Sequence, residues 1–327
     1  MPEFVRELAY RCEQCGSAGL DVSSAEARCH VCGAAWLVRY GIVDFLVNPT
    51  EAALAELMGL ATENDLDAGD LAATKFMLTD HIQGLDELKA LSEGTAIDYY
   101  NQTWATFTEG VERAGITRRA PVLEIGAERK LPKLNECRNR GAGDCYALNL
   151  FFHVQRESPI VAWCHRAVAD MHSLPYVDGF FDLVIVSATA HHSTDLPGFF
   201  REINRVLRPG GRAVIVNEAV EGYVKKLGSS RRHERDEQIH EEEIRYPAYR
   251  SAIESSGLRF HPFVPRYFLE RLQGPVHRET RFYWIARALS EVACRSPATA
   301  SALLKASRAP ASAILGFPLN AVLTKPS

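Results

Sequence analysis

Two kinds of residue in this chain have types and spacings suited to chemistry. Cys12-Glu-Gln-Cys15 and Cys29-His-Val-Cys32 are CxxC pairs separated by a stretch short enough for a hairpin. Each pair lets two thiolates converge on one ion, and two pairs supply the closed tetrahedral shell of structural zinc. The gap between them is slightly shorter than the usual ribbon range, which a compact hairpin still closes. The expectation is a structural Zn2+ held by Cys12, Cys15, Cys29 and Cys32, with His30 exposed between two ligands. The second kind is the pair His191-His192, which follows a short apolar run. A neutral imidazole there can take a proton from a substrate hydroxyl, so both are candidate catalytic residues. The competing reading is that they only order a turn. His240 with Glu241–Glu243 also has metal-binding chemistry, but it sits on a charged run that reads more simply as a solvated helix or lid.

The elements around the histidine pair are legible. Asp182–Ser187 is an apolar, β-branched run with the pattern of a strand buried on both faces. Asp195 can cap a helix whose apolar positions Phe199, Ile203, Val206 and Leu207 recur at helical spacing. Pro209-Gly210-Gly211 ends it, and Ala213–Val216 makes a second buried strand. Strand, helix and strand with short joints form a right-handed parallel crossover, so the fold class is α/β. The histidines then lie at the carboxyl edge, where open α/β sheets place their ligands. Upstream, residues 51–115 read as helices broken near Gly69-Asp70, Gly84 and Gly94, after a linker at Asn48-Pro49-Thr50. Downstream, Pro247–Ser256 reads as a helix, and Leu258–Val264 and Asn320–Thr324 as terminal strands, the last antiparallel.

FDLV, the His-His turn and INRVLRPGGRAVIV together resemble the later half of the class I S-adenosylmethionine (SAM)-dependent methyltransferase domain, methyltransferase type 11-like. Residues 10–46 resemble Trm112-like zinc ribbons, whose Gly-Ile-Pro-Asp-Phe-Leu ending is close to Gly41–Leu46, with Val43 replacing proline. The resemblance implies a Rossmann-like, mostly parallel seven-stranded sheet. It implies a zinc ribbon over 1–48, a helical region over 49–117, and a methyltransferase domain over 118–327 with insertions at 219–246 and 268–317. It also implies SAM as cofactor, with Ala120–Gly126 as first strand and Glu124, Gly126 and Ala127 at its first motif, whose turn amides face the methionine portion. Asn149 stands at the tip of the second strand, where an acid usually holds the ribose. Asp170 matches the acid that contacts the adenine amino group, Met171 its apolar neighbour, and Ser187 the end of the fourth strand. This chain departs from the pattern at Ala127-Glu128-Arg129-Lys130, where further glycines are usual. Tyr99, Tyr100 and Trp104 precede the first strand and are read either as pocket walls or as glue between helices. The insertions, with the aromatic run Phe282–Ile285, are expected to shape the acceptor pocket.

The chain of 327 residues is 46% hydrophobic and 24% charged, which suits a soluble globular protein with one large domain and a small one. Its net charge of −4 gives no overall attraction to nucleic acid or anionic lipid. No apolar run approaches the ~20 residues that span a bilayer. The start, MPEFVRELAY, lacks the apolar core of a signal peptide. Paired CxxC spacing reads as metal in a reducing compartment, so the expected location is cytoplasmic. The expected activity is methylation of an oxygen, nitrogen or carbon on a small or medium-sized metabolite, with a small-molecule acceptor as partner and a homodimer left open. Two rivals stand beside it: an rRNA or tRNA methyltransferase with a zinc-ribbon RNA-binding module, and a degenerate, non-catalytic partner protein. The acidic balance argues against nucleic acid, as does Ser187-Ala188-Thr189-Ala190 where a base-clamping Asn-Pro-Pro-Tyr motif would stand.

Overall fold

The computed structural model describes residues 5–64, 66–67, 69–78, 95–128, 130–154, 163–220, 244–263, 265–266 and 318–327. The expected lid after Glu218, the His240–Glu243 cluster, the aromatic run near 282–285 and the side chains of Tyr99 and Tyr100 lie outside the described residues.

The chain opens with five short strands: β1 (Val5–Arg11), β2 (Ala18–Val22), β3 (Glu26–Cys29), β4 (Ala35–Arg39) and β5 (Ile42–Asp44). Helix α1 (Glu51–Glu63) follows, capped by Thr50, whose hydroxyl accepts from the Ala53 amide at 3.2 Å. Then come α2 (Leu71–Lys75), β6 (Phe76–Leu78) and α3 (Thr95–Ala114). The region expected to be wholly helical therefore contains one strand, which pairs in parallel with β9 (Phe152–Val154). The remaining elements are β7 (Val122–Ile125), α4 (Pro132–Asn139), β8 (Cys145–Asn149), β10 (Cys164–Val168), β11 (Phe181–Ser187), α5 (Leu196–Val206), β12 (Leu207–Glu218), α6 (Tyr246–Ser255), β13 (Arg259–Pro262) and β14 (Leu319–Thr324). As the sequence indicated, Asp195 caps α5 by accepting from the Gly198 amide at 3.0 Å.

Among the described residues the main sheet runs β1-β2-β3-β4-β5-β10-β8-β7-β11-β12-β14-β13. Its last seven strands are the expected mostly parallel sheet, with β14 antiparallel to both neighbours. Strand order reverses between β7 and β11, which opens a crevice at the carboxyl edge there. The central strands are buried on both faces. Leu123, Ile125, Val184 and Val186 enter one core with α5 and α6, while Val122, Leu183 and Ile185 enter the other with α3 and α4. Helix α3 lies so close to β12 that a Cβ on Gly110 would stand 2.7 Å from Val214 Cγ1. Among the described residues no helix is long and apolar enough to cross a membrane.

The ribbon is continuous with this sheet. β5 pairs in parallel with β10, matching Ile42 to Arg166 and Asp44 to Val168. β1 is tied to the loop before β11: Arg11 N donates to Pro175 O and Val177 N to Ala9 O, at 3.0 and 2.9 Å. Tyr10 stacks on Tyr176 with centroids 5.6 Å apart, and Tyr176 meets Phe181 edge-on at 5.0 Å. Trp36 and Phe45 pack into the same core, so β1 to β5 share a hydrophobic interior with the strands of the large sheet. Beyond β5, the Lys75 ammonium meets Asp44 at 2.6 Å and the Leu46 carbonyl at 3.1 Å, with both charged side chains only 10% exposed. Lys75→Met should cost about 3–5 kcal/mol in denaturant unfolding, because it strands Asp44 without its partner. The double variant Asp44→Leu/Lys75→Met should recover much of that loss.

Candidate functional site

The carboxyl ends of β7, β8, β10 and β11 converge on a cavity of about 270 Å³. Gly126, Asn149, Asp170, Met171 and His192 line it, all of them anticipated from the sequence. Gly126 has φ +73°, and a Cβ there would collide with the Thr189 side chain, so glycine lets two edge loops touch. Its amide, however, donates to the Leu148 carbonyl at 2.9 Å, and the Ala127 amide donates to the same oxygen at 3.1 Å. These two amides thus face the neighbouring strand rather than a ligand, contrary to expectation. Ala127 itself is buried in the core beneath the turn, and Ser187 sits behind Thr189, whose hydroxyl donates to its carbonyl at 3.0 Å.

Asn149 is committed locally. Its amide nitrogen donates to the Ala127 carbonyl at 3.1 Å and its oxygen accepts from the Leu150 amide at 2.7 Å. Asp170 is held from two sides. Thr50 donates its hydroxyl to Oδ2 at 3.0 Å, while the amide and ring Nδ1 of His172 meet Oδ1 at 2.8 and 2.7 Å. Burial alone would raise the Asp170 pKa, but the His172 and Thr50 contacts outweigh it and hold the carboxyl below its ordinary range. The other ring nitrogen of His172 meets Ser193 Oγ at 2.9 Å, which ties the loop after β10 to the turn after β11.

That turn, Ala190–His192, separates the two histidines. The fully buried Glu218 carboxylate accepts from the amides of Thr189 and His191 at 2.9 and 3.2 Å, and meets the His191 ring Nδ1 at 3.0 Å. His191 is therefore engaged in ordering the turn. His192, stacked on it with centroids 4.3 Å apart, is the one that reaches the cavity. Its Nδ1 lies 3.9 Å from a carboxylate the sequence reading missed, that of Glu56 on α1. Ala52, Ala53, Glu56 and Leu60 of α1 form the wall opposite the strand ends. Trp104 instead packs against Phe107 in the core, so the helix before the first strand glues at that position and α1 supplies the wall. His172 and Glu218 were also missed, because only the folded backbone shows what their side chains reach.

Glu124 turns away from the cavity. It is buried under α4, where the Lys133 ammonium lies 3.5 Å away and also contacts Glu128. Burial pushes its pKa up, and Lys133 offsets this only in part, leaving it at about 7.

At the other end of the molecule, the sulfur atoms of Cys12, Cys15, Cys29 and Cys32 all lie within 4.8 Å of one another. Cys12–Cys32 and Cys15–Cys29 are 3.6 and 3.7 Å apart. A tetrahedron of sulfurs about 2.3 Å from a zinc ion has edges of about 3.8 Å, so the donor set fits that metal. Each CxxC is followed by a glycine of positive φ, Gly16 or Gly33, whose amide closes the knuckle onto the first cysteine's carbonyl. His30 is exposed and outside the group.

A family profile described as a methyltransferase domain matches residues 135–215, from within α4 to β12. Over these residues the chain is similar to methyltransferase domains. Uncharacterized protein YafE of Escherichia coli (strain K12) is 43% identical over 51 residues, which cover 16% of this chain and 25% of that protein. Ubiquinone/menaquinone biosynthesis C-methyltransferase UbiE of Vibrio vulnificus (strain YJ016) is 36% identical over 61 residues, covering 19% and 24%. The chain thus spans about a quarter of the length of these curated relatives. Among solved structures, a complex containing the Haloferax volcanii Trm112 methyltransferase activator aligns with 71% of this chain and 95% of its own, at 19% identity and TM-score 0.45. The buried carboxylate of β7, Glu124, has a raised pKa. With a folded-state pKa near 7 against an ordinary 4.5, Glu124 favours folding most below about pH 4.5, and that contribution is lost as pH rises through about 7. Glu124→Gln should raise stability by up to roughly 3 kcal/mol above about pH 7, with the gain vanishing near pH 4.5 in parallel thermal melts.

Proposed function

We propose that this chain is a SAM-dependent methyltransferase that modifies a small or medium-sized acceptor. The observation that carries the reading is the composition of the cavity at the switch point: among the described residues that line it, Asp170 and Glu56 are the carboxylates and none is Lys or Arg. Its remaining wall is largely apolar, with Leu60, Ile125, Leu148, Ala169 and Met171. Such a lining suits a ligand that combines a flat apolar part with positive charge, and it disfavours phosphate-rich acceptors such as RNA. Gly126, Asn149, Asp170 and Met171 would hold the cofactor. When bound, SAM supplies an electrophilic methyl carbon attached to a positively charged sulfur.

The protein's own part is chiefly to align the acceptor and exclude water. His192 is placed to accept the proton that the acceptor nucleophile loses as its new bond to carbon forms and the carbon–sulfur bond breaks. Glu218 and His191 hold the turn that carries His192, and α1 closes the far side. Chain inserted after β12 and before β14 leaves the sheet where it can shape acceptor choice. The ribbon cysteines would hold one structural zinc, and their paired thiols suit a reducing compartment such as the cytoplasm.

In titration calorimetry, S-adenosylhomocysteine should bind the purified chain, and Asp170→Ala should weaken it by about 1–3 kcal/mol. No binding of either SAM or its product at millimolar concentration would favour a degenerate scaffold instead. Metal analysis should find about one zinc per chain, and Cys29→Ser should lower both the zinc content and the thermal midpoint. A chain purified without chelators and free of zinc would exclude the metal assignment.

A further inference from the structure

Helix α1 contributes the one cavity carboxylate that is not already satisfied by hydrogen bonds. Asp170 accepts from Thr50 and His172, whereas Glu56 accepts no hydrogen bond among the described residues. Its side chain is 20% exposed, and the nearest basic atom is His192 Nδ1 at 3.9 Å. A carboxylate so placed, on the α1 wall beside His192 and near Asp170, leaves negative charge on that side of the cavity. Among the described residues that line the cavity, no lysine or arginine answers it. From these positions we infer that Glu56 is the counter-ion for the positively charged methionyl end of SAM, a binding residue supplied by the helix that follows the zinc ribbon. The inference rests on the SAM-binding reading above.

The electrostatics of the surroundings agree. Burial is the main cause that raises the Glu56 pKa, to about 7, and the Asp170 charge adds to it. His172 and His191 oppose both, and His192 stands closest. On α1 itself the nearest other acid in the N-terminal turn is Glu51. A cation arriving beside Glu56 favours its ionised form, so binding should release a proton wherever the apo carboxyl is protonated. Affinity for SAM should therefore rise as pH passes upward through about 7, where Glu56 loses its proton. The Glu56→Gln variant should lose that rise.

The test is calorimetry of the full chain with three ligands: SAM, S-adenosylhomocysteine, and 5′-methylthioadenosine, which lacks both the ammonium and the sulfonium. At about pH 8, Glu56→Gln should weaken SAM by about tenfold or more, while 5′-methylthioadenosine changes by less than about twofold. A loss shared by S-adenosylhomocysteine assigns the ammonium as the group recognised, and a loss confined to SAM assigns the sulfonium. Unchanged SAM affinity, or equal losses for all three ligands, overturns the inference. The variant's intact binding of 5′-methylthioadenosine guards against a folding defect. Wild-type chain that binds none of the three fails the SAM-binding reading itself, whereas wild-type binding with an indifferent variant fails only the role of Glu56.

Discussion

The arrangement depends on a short parallel pairing, Ile42–Asp44 against Arg166–Val168. Parallel strands end at the same edge of a sheet. By joining β10 in this sense, the last ribbon strand releases the chain at the carboxyl edge, where the cavity opens. Seven positions after Asp44 the chain starts α1, and its cap, Thr50, is in contact with Asp170. An antiparallel dock would have delivered α1 to the opposite edge and left the cavity without its far wall. The pairing is supported from below by the shared aromatic core of Tyr10, Phe45, Tyr176 and Phe181, and from beyond by the Lys75–Asp44 pair. Aromatic burial of this kind supplies most of the energy, while the buried pair sets where the strand stops.

Around the cavity, three carboxylates play three roles set by their surroundings. Glu218 is fully buried and answered by two amides and an imidazole, so it works as a brace for the histidine turn. Asp170 is partly satisfied by protein and stays ionised. Glu56 is the least satisfied, and burial holds it on the edge of protonation. Asp170 and Glu218 each have three hydrogen-bond partners, whereas Glu56 accepts none among the described residues. In the altered first motif, the Gly126 and Ala127 amides are turned to the Leu148 carbonyl.

Much of this was legible in the residues. The crossover from Phe181 to Glu218 carries local signals of strand period and an Asp cap, which the folded chain follows; the second strand, expected over Ala213–Val216, instead runs Leu207–Glu218 and takes in Pro209-Gly210-Gly211. Gly126 and Asp170 fall at strand ends because the apolar runs before them end there. The four cysteines declare their chemistry through spacing alone, since a CxxC turn brings two thiolates together whatever surrounds it. The antiparallel last strand was likewise legible.

What the tertiary structure alone decided is which side chains meet. Thr50 and Asp170 are separated by 120 positions, and no local pattern links them. His191 and His192 are adjacent and chemically identical, yet one braces a turn and the other enters the cavity, because Glu218 at the end of β12 reaches only the first. Glu124 fits the motif by letter but points into the core, since its neighbours on the strand, Leu123 and Ile125, take the opposite face. Residue type and spacing determine local geometry and the chemistry on offer. Direction along a strand, and the docking of β5 that brings α1 across the sheet edge, depend on contacts between distant segments, and these decide which of that chemistry shares one cavity.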